Sequence, residues 1–190
     1  MTDTLAEHTT PAFSPLDLQN RSLAWQVGAV VLGTLVLAAS SYIEVPMVPV
    51  PVTMQTFAVT LIGALYGWRL GGLTIVAWLI EGALGMPVLS GGAAGAIHFV
   101  GPTAGYLFAF PLAGAVMGWL AERGWNGQRP LLAFVGMLAA NGVCLAFGAA
   151  WLALSIGAEQ AVTYGVVPFL LGAVLKSGLG AALLKATARR

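Results

Sequence analysis

The chain has 190 residues, 58% of them hydrophobic and only 8% charged, with a net charge of +1 and a mean hydropathy of +0.88. Soluble domains average about 45–50% apolar and about 25% charged, so these charges are too few to cover a water-soluble globule of this size, and the solvent is lipid. The near-neutral balance leaves no electrostatic footprint for nucleic acid, and a single cysteine, Cys144, excludes an intramolecular disulfide.

The first 23 residues are polar and of mixed charge, with Asp3, Glu7, Asp17 and Arg21. They lack the basic start and apolar core of a cleavable signal peptide, so residues 1–23 read as a mobile cytoplasmic tail and residues 24–190 as one membrane domain. Hydropathy and breakers predict helix 1 over Ala24 to Ile43. A proline-rich link follows, Glu44 to Thr53, in which Pro46, Pro49 and Pro51 fix φ and favour stiff, extended geometry. Helix 2 is short, Met54 to Tyr66, and ends at the Gly67-Trp68-Arg69 corner; helix 3 covers Leu70 to Leu84. A glycine-rich loop, Gly85 to Pro102, precedes helix 4 at Thr103 to Ala121. A polar turn, Glu122 to Pro130, leads to helix 5 at Leu131 to Ser155, and helix 6 runs from about Val162 toward the C-terminus. The fold class expected is all-α: a polytopic membrane protein of six transmembrane helices with both termini cytoplasmic.

Basic residues test that topology, because Lys and Arg collect in cytoplasmic loops. With the N-terminus inside, the inner segments hold Arg21, Arg69, Arg123, Arg129, Lys185, Arg189 and Arg190, and the three outer segments hold no Lys or Arg. The remaining one, Lys176, falls inside the last helix.

Glycine permits close backbone approach to a ligand, and the outer loop carries it at 85, 91, 92, 95 and 101, with Gly105 just beyond. A loop so apolar is expected to fold over the outer helix ends, either around a ligand (Gly92 and Gly95 being candidates) or as a passive connector. It has no Walker pattern. An ionisable group inside a span is a functional-site candidate, and there are two, Lys176 and Glu81. Lys176 reads either as counter-ion of an anionic substrate group or as half of a structural bridge to Glu81. His98 is a ligand contact or a surface residue. Tyr106, Trp151 and Phe169 are interfacial belt residues or pocket walls. The two histidines, His8 and His98, and the lone cysteine make no metal set. No Ser–His–Asp set can be assembled either, since Asp3 and Asp17 are the only aspartates, so nothing supports an enzyme. In helix 1 the small-xxx-small pairs Ala24/Gly28 and Ala29/Gly33 offer a helix-docking face.

Several ordered runs resemble one family. Val50-Pro51-Val52-Thr53-Met54-Gln55-Thr56-Phe57-Ala58-Val59, Gly82-Ala83-Leu84-Gly85-Met86-Pro87-Val88, Gly101-Pro102-Thr103-Ala104-Gly105-Tyr106 and Gly165-Val166-Val167-Pro168-Phe169-Leu170-Leu171-Gly172 with Lys176 are similar to the BioY family. These are the biotin-specific S components of energy-coupling factor transporters. The resemblance spans nearly everything from residue 24. It implies a six-helix fold capturing biotin at an outward-facing pocket, with no other cofactor, in the bacterial inner membrane. It also implies a ligand carboxylate met by Lys176 and a ring among Gln55, Tyr106, Thr103 and the glycine loop, with Trp151 as a wall. Partners implied are a second membrane subunit of EcfT type with two ATPase subunits, docked partly on Ala29 and Gly33, or self-association. Where many relatives have an acid one turn before the lysine, this chain has Ala173; Ala93, Ala94 and Leu107 also depart from the pattern. Glu81 then replaces the acid, or Lys176 has no partner until ligand arrives. An S component for thiamine or riboflavin is the alternative function; a lipid-acting membrane enzyme and a ligand-free scaffold are the other rivals.

Overall fold

A computed structural model describes residue 16 and residues 18–188; Asp3, Glu7, His8, Asp17, Arg189 and Arg190, and so most of the predicted tail, lie outside the described residues. Leu18–Asn20 forms a 3-10 turn whose Leu18 is buried against the first two helices. The helices are α1 (Leu23–Ser41), α2 (Gln55–Ala83), α3 (Ala104–Glu122), α4 (Pro130–Ile156), α5 (Ala158–Gly165) and α6 (Val167–Thr187). Two short strands, β1 (Glu44–Val45) and β2 (Val52–Thr53), pair antiparallel between α1 and α2.

Among the described residues five helical stretches are long and apolar enough to cross a membrane, one fewer than the six expected. The difference lies in α2, which contains both predicted helices 2 and 3. They are joined at Gly67, whose φ of 79° and ψ of 171° are not helical. A conformation with positive φ suits glycine, which has no Cβ. The break is a hairpin corner rather than a bend. Gly63 and Gly71 would lie about 12 Å apart along a straight helix, yet a Cβ at Gly71 would stand 3.0 Å from the Gly63 Cα. The two arms of α2 therefore lie side by side, each shorter than the roughly 20 residues of an ordinary span. A second break, at Val166, separates α5 from α6. Pro168 follows it in the first turn of α6, where a missing N–H is tolerated.

Because α2 doubles back, the basic segments still share one face. The Trp68 backbone N–H donates to Glu122 Oε1 (3.2 Å), and Gly127 packs on the Leu184 backbone. Around this face the guanidinium of Arg123 sits 3.6 Å from the Trp119 ring centre and that of Arg69 5.0 Å from Trp68. These cation–π contacts suit a membrane boundary. The opposite face holds the ribbon and the Leu84–Thr103 loop. The chain is thus a multi-pass membrane protein.

With lipid outside, packing rather than the hydrophobic effect draws helices together, and small residues let backbones meet. A Cβ on Gly63 would collide with the Gly114 backbone, and one on Gly114 with Ile75, so both arms of α2 press on α3 there. Gly118 meets Gly67 and Trp68 in the same way. Large apolar side chains instead face outward, among them Leu32, Leu35, Leu131, Phe147, Leu154, Leu171 and Leu175. A Gly114→Val variant should therefore lose about 1–3 kcal/mol of stability through overpacking, read as a lower thermal midpoint in detergent. Gly142→Ala, with nothing within 4 Å of the new methyl group, should unfold at the same temperature or slightly higher.

Candidate functional site

A cavity of about 530 Å³ opens beneath the ribbon on the outer face, within the range of about 300–1,000 Å³ usual for small-molecule sites. Its walls come from five segments. The ribbon gives Glu44, Val48 and Thr53; the start of α2 gives Gln55 and Thr56; the loop gives Leu89, Ser90, Ala93 and His98; α3 and α6 give Thr103, Tyr106, Leu107, Phe110 and Phe169.

The loop is pinned by side chains that serve its carbonyls. Ser41 Oγ lies 2.9 Å from Val88 O and 3.0 Å from Leu89 O, Trp78 Nε1 donates to Val88 O (2.9 Å), and the Tyr42 hydroxyl donates to Pro87 O (2.5 Å). Leu89 packs onto Gly82, where a Cβ would come within 2.7 Å of it. The aromatic wall is equally fixed. Tyr106 OH donates to Gly165 O (2.7 Å), its ring stacks on Phe169 with centres 6.0 Å apart, and Gly148 leaves the space the ring fills.

At the α2 end the wall is polar. Ile43 O accepts from Met54 N–H (2.9 Å), which makes 43/54 a hydrogen-bonded pair and its neighbour Glu44↔Thr53 a non-hydrogen-bonded one. In such a pair the side chains are close and the backbone groups point away from the partner strand. The outward carbonyl of Thr53 accepts from Lys176 Nζ at 2.9 Å, and this lysine is only 8% exposed. Thr53 Oγ1 donates to Gln55 Oε1 (2.9 Å), orienting the carboxamide. Gln55 Nε2 and Thr56 Oγ1 are then buried without a hydrogen-bond partner. Buried polar atoms are almost always paired, and an unmet one costs about 1–3 kcal/mol. Two of them in one cavity wall, at the positive end of α2's dipole, describe a surface shaped for a polar guest.

Several sequence candidates meet here: Gln55, Thr103 and Tyr106 line the cavity, and Lys176 stands behind Thr53. Others do not. Glu81 is half-buried, does not line the cavity and makes no ion pair with Lys176, whose ammonium is held by a backbone carbonyl. Gly92 packs against the Tyr42 ring and the Gly95 N–H binds Gly82 O (2.8 Å), so both shape the loop from behind; Ser90 and Ala93 form the wall. Trp151 donates to Gly101 O (3.1 Å) and borders a separate shallow groove with Phe108, Phe147 and Leu154. Gly33 is buried against Thr74 and Tyr66 of α2, and Ala29 is partly buried against the core, so that pair serves α1's own packing. Ala24 and Gly28 remain exposed on α1. Glu44, Ser90 and Thr56 escape sequence reasoning, since a two-residue strand carries no readable alternation.

A family model described as BioY family matches residues 12–190. The chain is 37% identical over 154 residues to a probable biotin transporter BioY of Pyrococcus horikoshii, covering 81% of this chain and 90% of that one. It is 35% identical over 138 residues to the biotin transporter BioY of Thermotoga maritima (72% and 80% covered) and 30% identical over 175 residues to a biotin transporter, BioY2, of Lactococcus lactis (89% and 94%). A crystal structure described as the S-component for biotin from an ECF-type ABC transporter superposes with a TM-score of 0.76 at 22% identity, covering 87% of this chain and 93% of that one, which shows a shared fold.

Removing the hydroxyl that ties α3 to the end of α5 tests the aromatic wall. Tyr106→Phe should lower stability by about 1–3 kcal/mol, because Gly165 O is left buried without its donor; denaturant titration in detergent reads it.

Proposed function

The chain belongs to the BioY family, and from that premise we propose that it captures biotin in the outer cavity as the substrate-binding S component of an energy-coupling factor transporter. The observation that carries this reading is the pair of unpaired buried donors, Gln55 Nε2 and Thr56 Oγ1, in the cavity wall near Lys176, the one buried lysine among the described residues. A carboxylate brings the acceptor oxygens those groups lack, and a cation of low exposure gains most from an anion that displaces water from it. The flat bicyclic ring suits a wall of Tyr106, Phe110 and Phe169. Relatives matched over most of their length are named as biotin transporters, which supports biotin over thiamine or riboflavin. Thiamine is a cation, and Lys176 would repel it.

Transport needs energy that this fold does not generate. In this reading the chain sits in the cytoplasmic membrane with its cavity outward and works with a second membrane subunit and two ATPase subunits; the S-component it superposes on is described as coming from an ECF-type ABC transporter. Ala24 and Gly28, exposed on α1, are the small residues free to meet such a subunit. Labelled-biotin uptake in cells producing the chain with and without the coupling module tests this half: uptake should be greater with the module, and equal rates refute the dependence.

Binding is tested by calorimetry on purified protein. A hydrogen bond to a charged group is worth about 1.5–3 kcal/mol, so Lys176→Met, which keeps the side chain's bulk, should weaken biotin about ten- to a hundredfold. Biotin amide, which lacks the anion, should lose a similar factor against the parent and almost nothing against Lys176→Met. Equal losses in both proteins remove the lysine from the site.

A further inference from the structure

Glu44 is the only aspartate or glutamate lining the cavity among the described residues. It occupies β1 directly opposite Thr53, in the non-hydrogen-bonded pair that brings the two side chains together on one face of the ribbon. The two charges nearest the ribbon then leave it on opposite sides. Lys176 reaches the outer edge of β2 from α6, through the Thr53 carbonyl. The Glu44 carboxylate extends from β1 to the loop, where Ser90 Oγ donates to Oε2 and Gly91, at a φ of 62°, leaves room for Oε1. A Cβ at Gly91 would lie 2.8 Å from Oε1. A carboxylate on a cavity wall with one hydroxyl donor keeps further lone pairs for another donor.

Resting on the biotin reading above, we infer that Glu44 is a ligand-binding carboxylate that accepts a hydrogen bond from a ureido N–H, so that the cavity selects anions that also carry an N–H donor. The ribbon makes the site dipolar. A guest's anionic end lies toward the β2 side and Lys176, and its N–H end lies toward β1 and the loop. An anion without an N–H donor leaves Glu44 facing it unmatched, and the carboxylate then disfavours it. Glu44 is thereby assigned specificity, with Ser90 as the residue that aims it.

Calorimetry on the full chain in detergent tests the assignment with biotin and with biotin methylated on one or the other ureido nitrogen. Glu44→Ala should bind biotin about ten- to a hundredfold more weakly, as for a lost hydrogen bond to a charged group. Glu44→Gln keeps an acceptor oxygen and should lose less. Ser90→Ala keeps the carboxylate but removes the hydroxyl that aims it, and should weaken binding less than Glu44→Ala does. Methylation of one ureido nitrogen should weaken binding to the parent more than to Glu44→Ala. The assignment is overturned if Glu44→Ala binds biotin like the parent. It is overturned also if Ser90→Ala loses as much as Glu44→Ala, which would make the contact a latch between ribbon and loop, or if both methylated ligands lose equally in both proteins. A parent that fails to bind biotin refutes the biotin reading itself, and this inference falls with it; a parent that binds while Glu44→Ala is unchanged refutes Glu44 alone.

Discussion

One contact organises the outer half of this protein: an ammonium group kept largely from solvent and held by a backbone carbonyl at 2.9 Å. A lysine inside a membrane bundle is expensive, and a carbonyl dipole offsets only part of that cost. The bond exists because β2 is an edge strand with a free side. With Glu44 opposite Thr53 in a non-hydrogen-bonded pair, the ladder leaves the Thr53 carbonyl facing outward, toward α6. The same pairing presents Glu44 and Thr53 together on the cavity side, and Thr53 in turn orients Gln55. Strand register, lysine and cavity wall are thus consequences of one another.

Around that centre the protein separates rigid support from binding surface. Side chains of α1 and α2 tie down the loop by its carbonyls, and Tyr106 is locked by Gly148 and Gly165. Such locking lowers the ordering cost of binding. Gln55 and Thr56 are aimed but unpaired, a cost to stability that the proposed guest would offset. A site that sacrifices stability in this way is the expected signature of a binding function.

The sequence made the frame legible wherever the solvent imposes a rule. Lipid forces apolar spans, and the distribution of Arg21, Arg69, Arg123, Arg129 and Lys185 identified the inner face even though α2 proved to be one folded-back element. The corner itself was visible as Gly67-Trp68-Arg69, because a glycine before a polar residue breaks an apolar run. Lys176 was conspicuous because every other Lys or Arg was assigned to an inner segment by the sequence pattern. Contacts that depend on tertiary approach were not legible. Glu81, one turn from the loop, offered one of two readings for Lys176, while Glu44 in the proline-rich link drew no reading of its own. Nothing in spacing tells which of two outer carboxylates a two-residue ribbon turns toward a cavity. Trp151 sits at the right height but on the wrong side of its helix, since Gly101 O captures its indole N–H.

The seam of glycines through the inner half sets how this molecule can move. Where Gly63 meets both Gly71 and Gly114, main chain touches main chain with no side chain between. Interiors packed this closely have little slack and transmit strain instead of absorbing it. The lower bundle is therefore a keel. Whatever displacement accompanies delivery of a guest to the cytoplasm must turn that keel as a single piece, or be confined to the ribbon and loop above it.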